Sequence, residues 1–345
     1  STSVYWLPVY ERLEDVAKVL VANASHVKKV PGRKTDAIDA EWLAELGAHG
    51  LLRPSFIPPK EIRVLRAYSR YRTKLRANQS GVRNRTIKFL EMSGIKLSSV
   101  VSDCFGVTGR AILDNLAAGK TVDVAAVARM ALRKKLPELA RCLGPEGLSP
   151  HQQQLLRMQL TAYDALDAQI AEVELTLEKL SAPYAALLER LDAIPGINRI
   201  SATTLIAEIG TDPTVYRNAK HLCALAGVAP GNAISAETRR RIGVRRGNRY
   251  LKRILVQIAW AATNAKESFL RARFYRLQRR IGRNKAVVAV ARQILVLVYT
   301  VLGGATYNDR GALFYAKRNP TQTVRRYVRQ IEALGFTVTL IDSSK

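Results

Sequence analysis

The chain of 345 residues is 48% hydrophobic and carries a formal charge of +27 at pH 7. This length and hydrophobic content exclude a disordered chain and predict two or three domains with buried cores. The charge is too large for an ordinary soluble enzyme, and it is unevenly distributed. Residues 60–88 contain ten Lys and Arg against one acid and residues 239–285 contain sixteen against one, whereas residues 1–56 are neutral. Such clustering predicts nucleic acid as the partner, because clustered cations are expected where phosphates are bound. An anionic membrane surface and solvated basic helices are the alternatives.

The cysteines and the apolar runs indicate the cellular compartment of the protein. Three scattered cysteines, Cys104, Cys142 and Cys223, have an odd number and no metal-ligand spacing, which favours small buried side chains in a reducing environment. The most apolar run, 286–302, is 17 residues long and contains Arg292 and Gln293, so it predicts a buried core helix rather than a membrane span. We therefore expect a cytoplasmic protein that does not use a membrane.

The first segment, residues 1–56, has an α/β pattern. A short apolar run at 19–22 is bounded by polar residues and predicts a buried strand. Residues 36–47 carry apolar side chains at helical spacing and predict a helix. The segment is too short for a complete sheet domain, so we expect it to be the C-terminal part of a domain that begins before Ser1.

Two long helices are predicted in the second segment, residues 57–183. Residues 60–90 repeat large apolar side chains every seven positions, with basic side chains between them. Residues 151–182 repeat apolar side chains at the a and d positions of about four heptads, which predicts a coiled coil. These positions are Leu156, Tyr163, Leu166, Ile170, Val173, Leu177 and Leu180. The partner is either the first long helix or another subunit of a homo-oligomer, a dimer or tetramer; an ordinary amphipathic helix is the alternative, because the d position at Gln159 is polar.

The third segment, residues 184–345, is predicted to be all-α. The sequence Ile-Pro-Gly-Ile-Asn at 194–198 precedes an apolar helical pattern and resembles a helix-hairpin-helix turn. Gly196 and Asn198 tolerate a positive φ, and backbone N–H groups at a helix start can bind a phosphate. A plain Pro-Gly turn is the alternative, since Asn198 stands where the motif usually has glycine. A strongly apolar helix is predicted over 250–262.

One serine in this segment is surrounded by cations. Ser235 lies between two groups of turn-forming residues, 227–232 and 247–248, which predict an ordered, exposed loop. A serine hydroxyl can attack a phosphodiester when its proton is removed and cations neutralise the phosphoryl oxygens. His221 lies fourteen residues upstream, so a protease-like triad is not expected. Serine in a loop is more often a turn or capping residue, and phosphate contact by its arginine neighbours is the safer prediction.

The predicted nucleic-acid contacts combine the basic helix, the Pro-Gly turn and the serine loop. They are Arg63, Arg66, Arg70, Lys74, Arg76, Arg83, Gly196, Asn198, Arg239, Arg240, Arg241, Arg245, Arg246, Arg249 and Lys252.

Two carboxylates open the predicted helix over 36–47. Asp36 and Asp39, at i and i+3, project from one side of a helix start, where they can share a Mg²⁺ ion with substrate phosphate. Spacing alone favours the alternative that Asp36 caps the helix and Asp39 complements its dipole. Two carboxylates are also few for a two-metal phosphodiester site, so further acids are expected upstream.

The order of the motifs along the chain resembles one family. The chain contains VYWLPVY at 4–10, KTDAIDA at 34–40, IPG at 194–196, GNAISA at 231–236 and GNRYL at 247–251. In this combination, and over essentially its whole length, the chain resembles the DEDD-type insertion-sequence transposases that use a serine and a bridge RNA. That family joins an N-terminal RNase H-like domain, similar to the RuvC-like Holliday-junction resolvases, through a coiled coil to a C-terminal helical domain that bears the serine.

The resemblance implies a function and a set of roles. Ser235 would be the nucleophile that forms a transient phosphoserine link to DNA, and Asp36 and Asp39 would be the last two of four metal-binding acids. Mg²⁺ would be the cofactor, and the partners would be DNA of the element ends and target and a structured guide RNA that pairs with both. The expected protein is a transposase or site-specific recombinase that cuts and rejoins DNA.

Three features depart from the family pattern. The first acid should lie before Ser1, and the second should directly precede the Ser-Thr-Gly that aligns with 1–3, where Ser3 replaces the glycine. Glu237 and Thr238 stand where the family commonly has Gly-Lys. We therefore expect an N-terminally truncated chain that binds nucleic acid without a complete metal site. The alternatives are a truncated, non-catalytic DNA- or RNA-binding remnant, a DNA invertase of the same family, and a structure-specific resolvase with an incidental serine.

Overall fold

The computed structural model describes residues 5–22, 36–52, 55–144, 147–230, 233–235, 238–240 and 247–341. These residues are mostly helical, and the chain divides into two compact units, Ser1–Pro59 and Lys60–Lys345. The predicted border after residue 56 lies close to this division. The predicted border after residue 183 falls at a 3₁₀ turn, Ala182–Tyr184, inside the second unit, so a separate third domain stays a prediction.

Two helices lie in the described part of the first unit, α1 (Trp6–Leu13) and α2 (Asp36–Ala48). The helix predicted over 36–47 is therefore confirmed. The apolar spacing that predicted it includes Leu46, which is buried at 3% exposure.

The strand predicted over 19–22 is not found as a strand. Ala22 alone forms an isolated bridge, and the Ser55 amide donates to the Val21 carbonyl at 2.7 Å. A strand satisfies its backbone groups through a partner along its whole length, and within the described residues this run has a partner only at this point. The α/β class and the RNase H-like domain predicted for residues 1–56 are therefore not confirmed.

The second unit is a helical assembly with one small hairpin. Its described helices and strands, in chain order, are α3 (Lys60–Met92), α4 (Leu97–Val100), α5 (Val107–Ala117), α6 (Val124–Val127), α7 (Leu136–Leu143), α8 (Pro150–Ser181), α9 (Ala185–Asp192), α10 (Arg199–Ile209), α11 (Ala219–Leu225), β1 (Ala233–Ser235), β2 (Thr238–Arg240), α12 (Arg249–Ala262), α13 (Phe269–Ile281), α14 (Arg283–Leu302), α15 (Phe314–Arg318) and α16 (Pro320–Glu332). The all-α character predicted for residues 184–345 is confirmed apart from the hairpin.

Both predicted long helices, α3 and α8, are present. Helix α8 begins with a capping box in which the side chains of Ser149 and Gln152 bond each other's backbone N–H groups. Pro150 occupies the first helical position, where a missing N–H costs no hydrogen bond. The helix ends at Ser181, two residues before Pro183, which cannot continue it.

Helices α3 and α8 pack against each other as an antiparallel pair. Arg72 donates to Glu174 (2.7 Å), and Gln79, seven residues later, donates to Asp167, seven residues earlier (2.9 Å). The buried apolar residues of the two helices are Ile62, Leu65, Leu75, Val82 and Leu90 of α3 and Leu156, Leu160, Ile170, Val173 and Leu177 of α8. The predicted contact between the two long helices is thus confirmed, while contact between subunits stays a prediction.

The residues between α3 and α8 in the sequence form an apolar cluster of their own. Helices α4 to α7 bury it against the last turn of α3 and the first turns of α8. Ile112, Leu113 and Leu139 have no exposed surface. The cluster packs against the end of α3 and the start of α8. It includes none of the predicted site residues.

Helix α14 is the central core helix of the C-terminal half. Val290, Ala291 and Ile294 have no exposed surface, and the helix packs against α11, α12 and α13. Within the described chain it alone is long and apolar enough to span a membrane, and half of its apolar stretch is buried in the protein. The prediction that the run at 286–302 is a buried core helix is confirmed.

Candidate active site and nucleic-acid interface

Ser235 lies in a short hairpin. Strands β1 and β2 are antiparallel, with Ser235 paired to Thr238 and Ala233 paired to Arg240. Ser235 is the last residue of β1, and two residues connect it to β2. The predicted loop therefore contains a β-hairpin, and the serine lies where its first strand ends.

The two ends of the segment that carries this hairpin meet at its base. The backbone amide of Asn248 donates to the Leu225 carbonyl at 2.8 Å. Gly247 lies so close to the preceding helix that a Cβ on it would stand 2.3 Å from the Gly227 nitrogen and 2.5 Å from the Leu225 oxygen. Glycine is required here because no side chain fits between the two backbone segments. The segment that carries the hairpin is therefore held together at its two ends, near Gly227 and Gly247.

Asn248 connects this base to helix α12. Its side-chain oxygen accepts hydrogen bonds from the amides of Tyr250 (3.0 Å) and Leu251 (3.1 Å), so it is the N-cap of α12. Its side-chain amide donates to Glu208 at 2.6 Å. The apolar helix predicted over 250–262 is confirmed as α12, and its cap residue is also the last anchor of the serine hairpin segment.

Glu208 on α10 is the centre of a buried polar network. Its side chain is 0% exposed and accepts two hydrogen bonds from Arg70 of α3, at 2.7 and 2.8 Å, beside the one from Asn248. Arg66 of α3 donates to the backbone carbonyls of Ala207 (2.7 Å) and Glu208 (3.0 Å). One carboxylate therefore links α3, α10 and the start of α12 through charge-assisted hydrogen bonds.

The two arginines respond differently to this network. Burial lowers the pKa of Arg66, against the raising effect of the nearby Glu208 charge. The hydrogen bonds that Arg70 donates to the Glu208 carboxylate raise the pKa of Arg70. Sequence reasoning missed Glu208, although a signal exists: it is an acid in the apolar run 202–209, and acids are almost never fully buried unless they are paired.

The Glu208→Gln variant is expected to lower the free energy of unfolding by about 3 kcal/mol. Glutamine keeps the size of the side chain but removes the charge that compensates Arg66 and Arg70. We place the loss at the lower end of the range for a broken buried ion pair, because the Arg70 side chain is 37% exposed. Urea unfolding followed by far-UV circular dichroism measures it.

The matched control removes an exposed ion pair from the same long helix. Asp103 pairs with Arg83 of α3 at 2.8 Å, and the Asp103 side chain is 55% exposed. Asp103→Asn is expected to cost less than about 1 kcal/mol. Equal losses in the two variants would contradict a special role for the Glu208 network.

The predicted phosphate ligands on α3 mostly face other parts of the protein. Arg66 and Arg70 belong to the Glu208 network, Arg76 bonds Glu174 at 3.2 Å, and Arg83 pairs with Asp103. Arg63 is half-buried, and Lys74 is exposed. Nucleic-acid binding by these six residues stays a prediction, but Arg66, Arg70, Arg76 and Arg83 already have intramolecular partners.

The Pro-Gly turn joins α9 to α10 as predicted. Gly196 has a φ of +89°, and a Cβ on it would stand 2.5 Å from the Ile258 carbonyl of α12. Asn198 accepts a hydrogen bond from the Ser201 amide (2.9 Å) and caps α10. The turn between two helices is confirmed; both residues have structural roles in it, and their contact with phosphate stays a prediction.

The remaining predicted contacts lie in the serine hairpin or follow it in the sequence. Arg239 and Arg240 lie in β2, while Arg241, Arg245 and Arg246 lie outside the described residues. The first turns of α12 carry two more. Arg249 is exposed, with its guanidinium 5.5 Å from the centre of the Tyr250 ring, and Lys252 is half-buried.

The two predicted metal ligands open helix α2. Asp36 is its first residue, and Asp39 follows in the same turn, so their backbone positions agree with the predicted spacing. This pair supplies hard carboxylate oxygens of the kind that Mg²⁺ prefers, but fewer than a complete site needs. Within the described chain no group of three or more His, Cys, Asp or Glu could hold a metal ion.

Comparisons with known proteins point to one family at both ends of the chain. A family model described as "Transposase IS116/IS110/IS902 family" matches residues 188–275, which include the Pro-Gly turn and the serine hairpin. A second transposase model, for DEDD-type IS110 proteins, matches residues 1–94, which include Asp36, Asp39 and α3.

A curated relative agrees with these matches over part of its length. "Putative transposase y4qE" of Sinorhizobium fredii (strain NBRC 101917 / NGR234) is 31% identical to this chain over 102 residues. The matched residues make up 29% of this chain and 23% of that protein, so the chain spans less than a quarter of this relative. Two transposase models thus match the region with the paired acids and the region with the serine, and both matches support an IS110-type transposase.

Proposed function

We propose that this protein cuts and rejoins DNA with Ser235 as the nucleophile. The observation that carries the proposal is the position of Ser235 at the end of β1, in a segment held at its base by Gly227, Gly247 and Asn248. A nucleophile must be held in a fixed position for in-line attack, and a hairpin with both ends anchored supplies such a position.

The proposed step is transesterification at phosphorus. The Ser235 oxygen forms a bond to phosphorus, its proton passes to solvent, and the bond from phosphorus to one sugar oxygen breaks as that oxygen takes up a proton. The phosphoserine link keeps the energy of the phosphodiester, so a sugar hydroxyl of another strand can displace the serine and rejoin the DNA. Arg239 and Arg240, which follow the serine in the paired strand, are proposed to stabilise the charge on the phosphoryl oxygens.

A divalent metal is proposed as the cofactor, with Asp36 and Asp39 among its ligands. Mg²⁺ would neutralise the phosphoryl oxygens and so act as a Lewis acid. Both residues lie in the first turn of α2, which supports a shared ligand role and also fits the alternative that Asp36 caps the helix and Asp39 complements its dipole. Asp36→Asn distinguishes the two for Asp36, since asparagine still caps a helix but is a poor Mg²⁺ ligand.

The proposed partners are DNA of the element ends and target and a structured guide RNA. The net charge of +27 and its clusters support polyanionic partners. A homo-oligomer and a cytosolic location complete the proposal.

The test is to trap and map the covalent intermediate. The full chain is incubated with Mg²⁺ and labelled duplex DNA taken from the genomic flanks of this coding sequence, with and without RNA transcribed from those flanks. The expected result is an SDS-resistant adduct that EDTA prevents. After nuclease digestion, mass spectrometry should find the nucleotide remnant on the tryptic peptide 221–239, which contains Ser235.

Two results would contradict the proposal. A remnant on any other residue would reassign the nucleophile. DNA binding without any adduct, under conditions with RNA and Mg²⁺, would favour the non-catalytic binding protein.

A further inference from the structure

The cations of the second unit fall into two groups with different surroundings. Along α3, arginines pair with carboxylates from other helices, such as Glu208 and Glu174. Helix α13 has no acid and carries five arginines, and Arg283 and Lys285 follow at the start of α14. In the part of the chain that the structure describes, none of these seven cations forms a salt bridge. Helix α13 therefore carries a continuous group of cations without acidic partners, whereas several arginines of α3 are paired.

Packing determines which side of α13 remains open. Phe269, Leu270 and Phe274 are buried, and the helix packs against α14. Gly282, with a φ of +80°, connects the two helices. Six cations outside this contact form what we call the α13 surface. They are Arg271, Arg276, Arg279, Arg280, Arg283 and Lys285, all exposed except the half-buried Arg271.

Aromatic rings support several of these guanidinium groups. Arg276 lies 4.4 Å from the centre of the Tyr315 ring, Arg283 lies 4.7 Å from a Trp260 ring centre, and Arg271 lies 5.5 Å from that of Tyr275. A guanidinium held over a ring loses conformational freedom but keeps N–H donors that can bond phosphate oxygens. Trp260 and Tyr315 are partly buried beneath their arginines, so at these two positions the surface offers charge and donors more than platforms on which bases could stack.

From these observations we propose that the α13 surface binds the phosphate backbone of duplex DNA, independently of base sequence. Arg276, Arg279 and Arg280 lie within about one turn of α13, and such closely placed cations suit the closely spaced phosphates of a duplex. The two partly buried rings disfavour base stacking by a single strand. The choice of DNA as the polyanion rests on the proposed function, since a recombinase must hold the duplex on either side of the phosphate that it attacks. The residues of this surface are not among the individually predicted contacts, although they lie in the basic segment 239–285.

The test is the salt dependence of duplex binding. The variant Arg276→Gln, Arg279→Gln, Arg280→Gln removes three exposed cations, and fluorescence anisotropy measures its affinity for a random-sequence labelled duplex over a range of NaCl concentrations. The magnitude of the slope of log Kobs against log salt is expected to fall by about 2 to 3, because each lost phosphate contact removes about 0.9. Affinity at low salt is expected to drop about tenfold or more.

A matched control distinguishes the loss of this particular surface from a general loss of net charge. The variant Lys134→Gln, Lys135→Gln, Arg141→Gln removes the same charge from exposed positions between α6 and α8. Its slope is expected to change by less than about 1. An equal decrease in both triple variants, or an unchanged slope in the α13 variant, would overturn the proposal.

Two further arms identify the ligand and separate this proposal from the catalytic one. An RNA hairpin of equal length and a single-stranded DNA are measured in parallel, and a larger loss on either than on the duplex would overturn the assignment to duplex DNA. All measurements use the Ser235→Ala background without Mg²⁺, so no cleavage contributes. Failure of Ser235 as the nucleophile would leave these slopes unaffected, and a failed α13 surface would leave the mapping of the covalent adduct unaffected.

Discussion

The Ser235→Ala variant will form no covalent adduct with DNA, and its single-turnover rate of strand transfer will fall by about 10⁵-fold or more. Alanine has no oxygen to attack phosphorus, and a lost nucleophile is not replaced by the charge-stabilising groups that remain. The variant keeps every cation of the chain, so its affinity for duplex DNA is expected to stay at the wild-type value. The measurement combines adduct yield with anisotropy on the same protein.

A second serine supplies the control for this variant. Ser98 in α4 is exposed, and its hydroxyl donates to the Glu91 carboxylate at 2.8 Å. Ser98→Ala is expected to keep both the adduct and the affinity. Adduct formation by Ser235→Ala at the wild-type rate would show that another group attacks the DNA.

Local patterns were sufficient to predict the long elements of the fold. The seven-residue repeats predicted α3 and α8, and the apolar run at 286–302 predicted the core helix α14, because helix formation and burial leave a periodic signal in the sequence. The end of α8 was predictable from Pro183 for the same reason, since its effect is confined to its neighbours.

Charge partners could not be predicted in this way. The arginines of α3 have the spacing of a solvated basic helix, yet Arg70 meets Glu208, which lies 138 residues further along the chain. Arg72 and Arg76 meet Glu174 across the helix pair. Such contacts depend on how helices pack rather than on local sequence, so composition alone could not show which arginines of α3 are paired.

The predicted strand at 19–22 illustrates a related limit. Four apolar residues between polar ones satisfy the pattern of a buried strand, but strand formation depends on a partner that the pattern does not specify. Among the described residues, Ala22 forms an isolated bridge and the Ser55 amide donates to the Val21 carbonyl, but 19–22 do not form a strand. The helix over 36–47 was more predictable because its hydrogen bonds are internal.

The sequence predicted which residues of the candidate site are chemically important, but not the contacts that hold the hairpin segment in place. The serine between turn formers and arginines identified the hairpin segment, and Gly247 with Asn248 was recognised as a break in the chain. Tertiary contacts explain why these two residue types are needed. Gly247 lies against the backbone at Gly227, and the Asn248 side chain donates to Glu208 on another helix. A sequence pattern contains neither contact.

The close contact at Gly247 leads to the second large expected effect. Gly247→Ala is expected to lower the free energy of unfolding by about 3 kcal/mol and to abolish most adduct formation. The new Cβ would stand 2.3 Å from the Gly227 nitrogen and 2.5 Å from the Leu225 oxygen, and both are backbone atoms that cannot rotate away. The two ends of the hairpin segment must then separate, which breaks the bond from the Asn248 amide to Leu225 and displaces the serine. Urea unfolding and adduct yield measure the two effects.

Gly81→Ala makes the same chemical change at a position without a close neighbour. Gly81 lies in the middle of α3, and a Cβ there would have no atom within 4 Å. Alanine is the better helix former, so this variant is expected to gain about 0.5 to 1 kcal/mol of stability and to keep its adduct. Opposite signs in the two variants would show that the cost at Gly247 comes from the contact at the base of the hairpin segment. A Gly247→Ala protein as stable and as active as the wild type would mean that the segment does not need this closure to position Ser235.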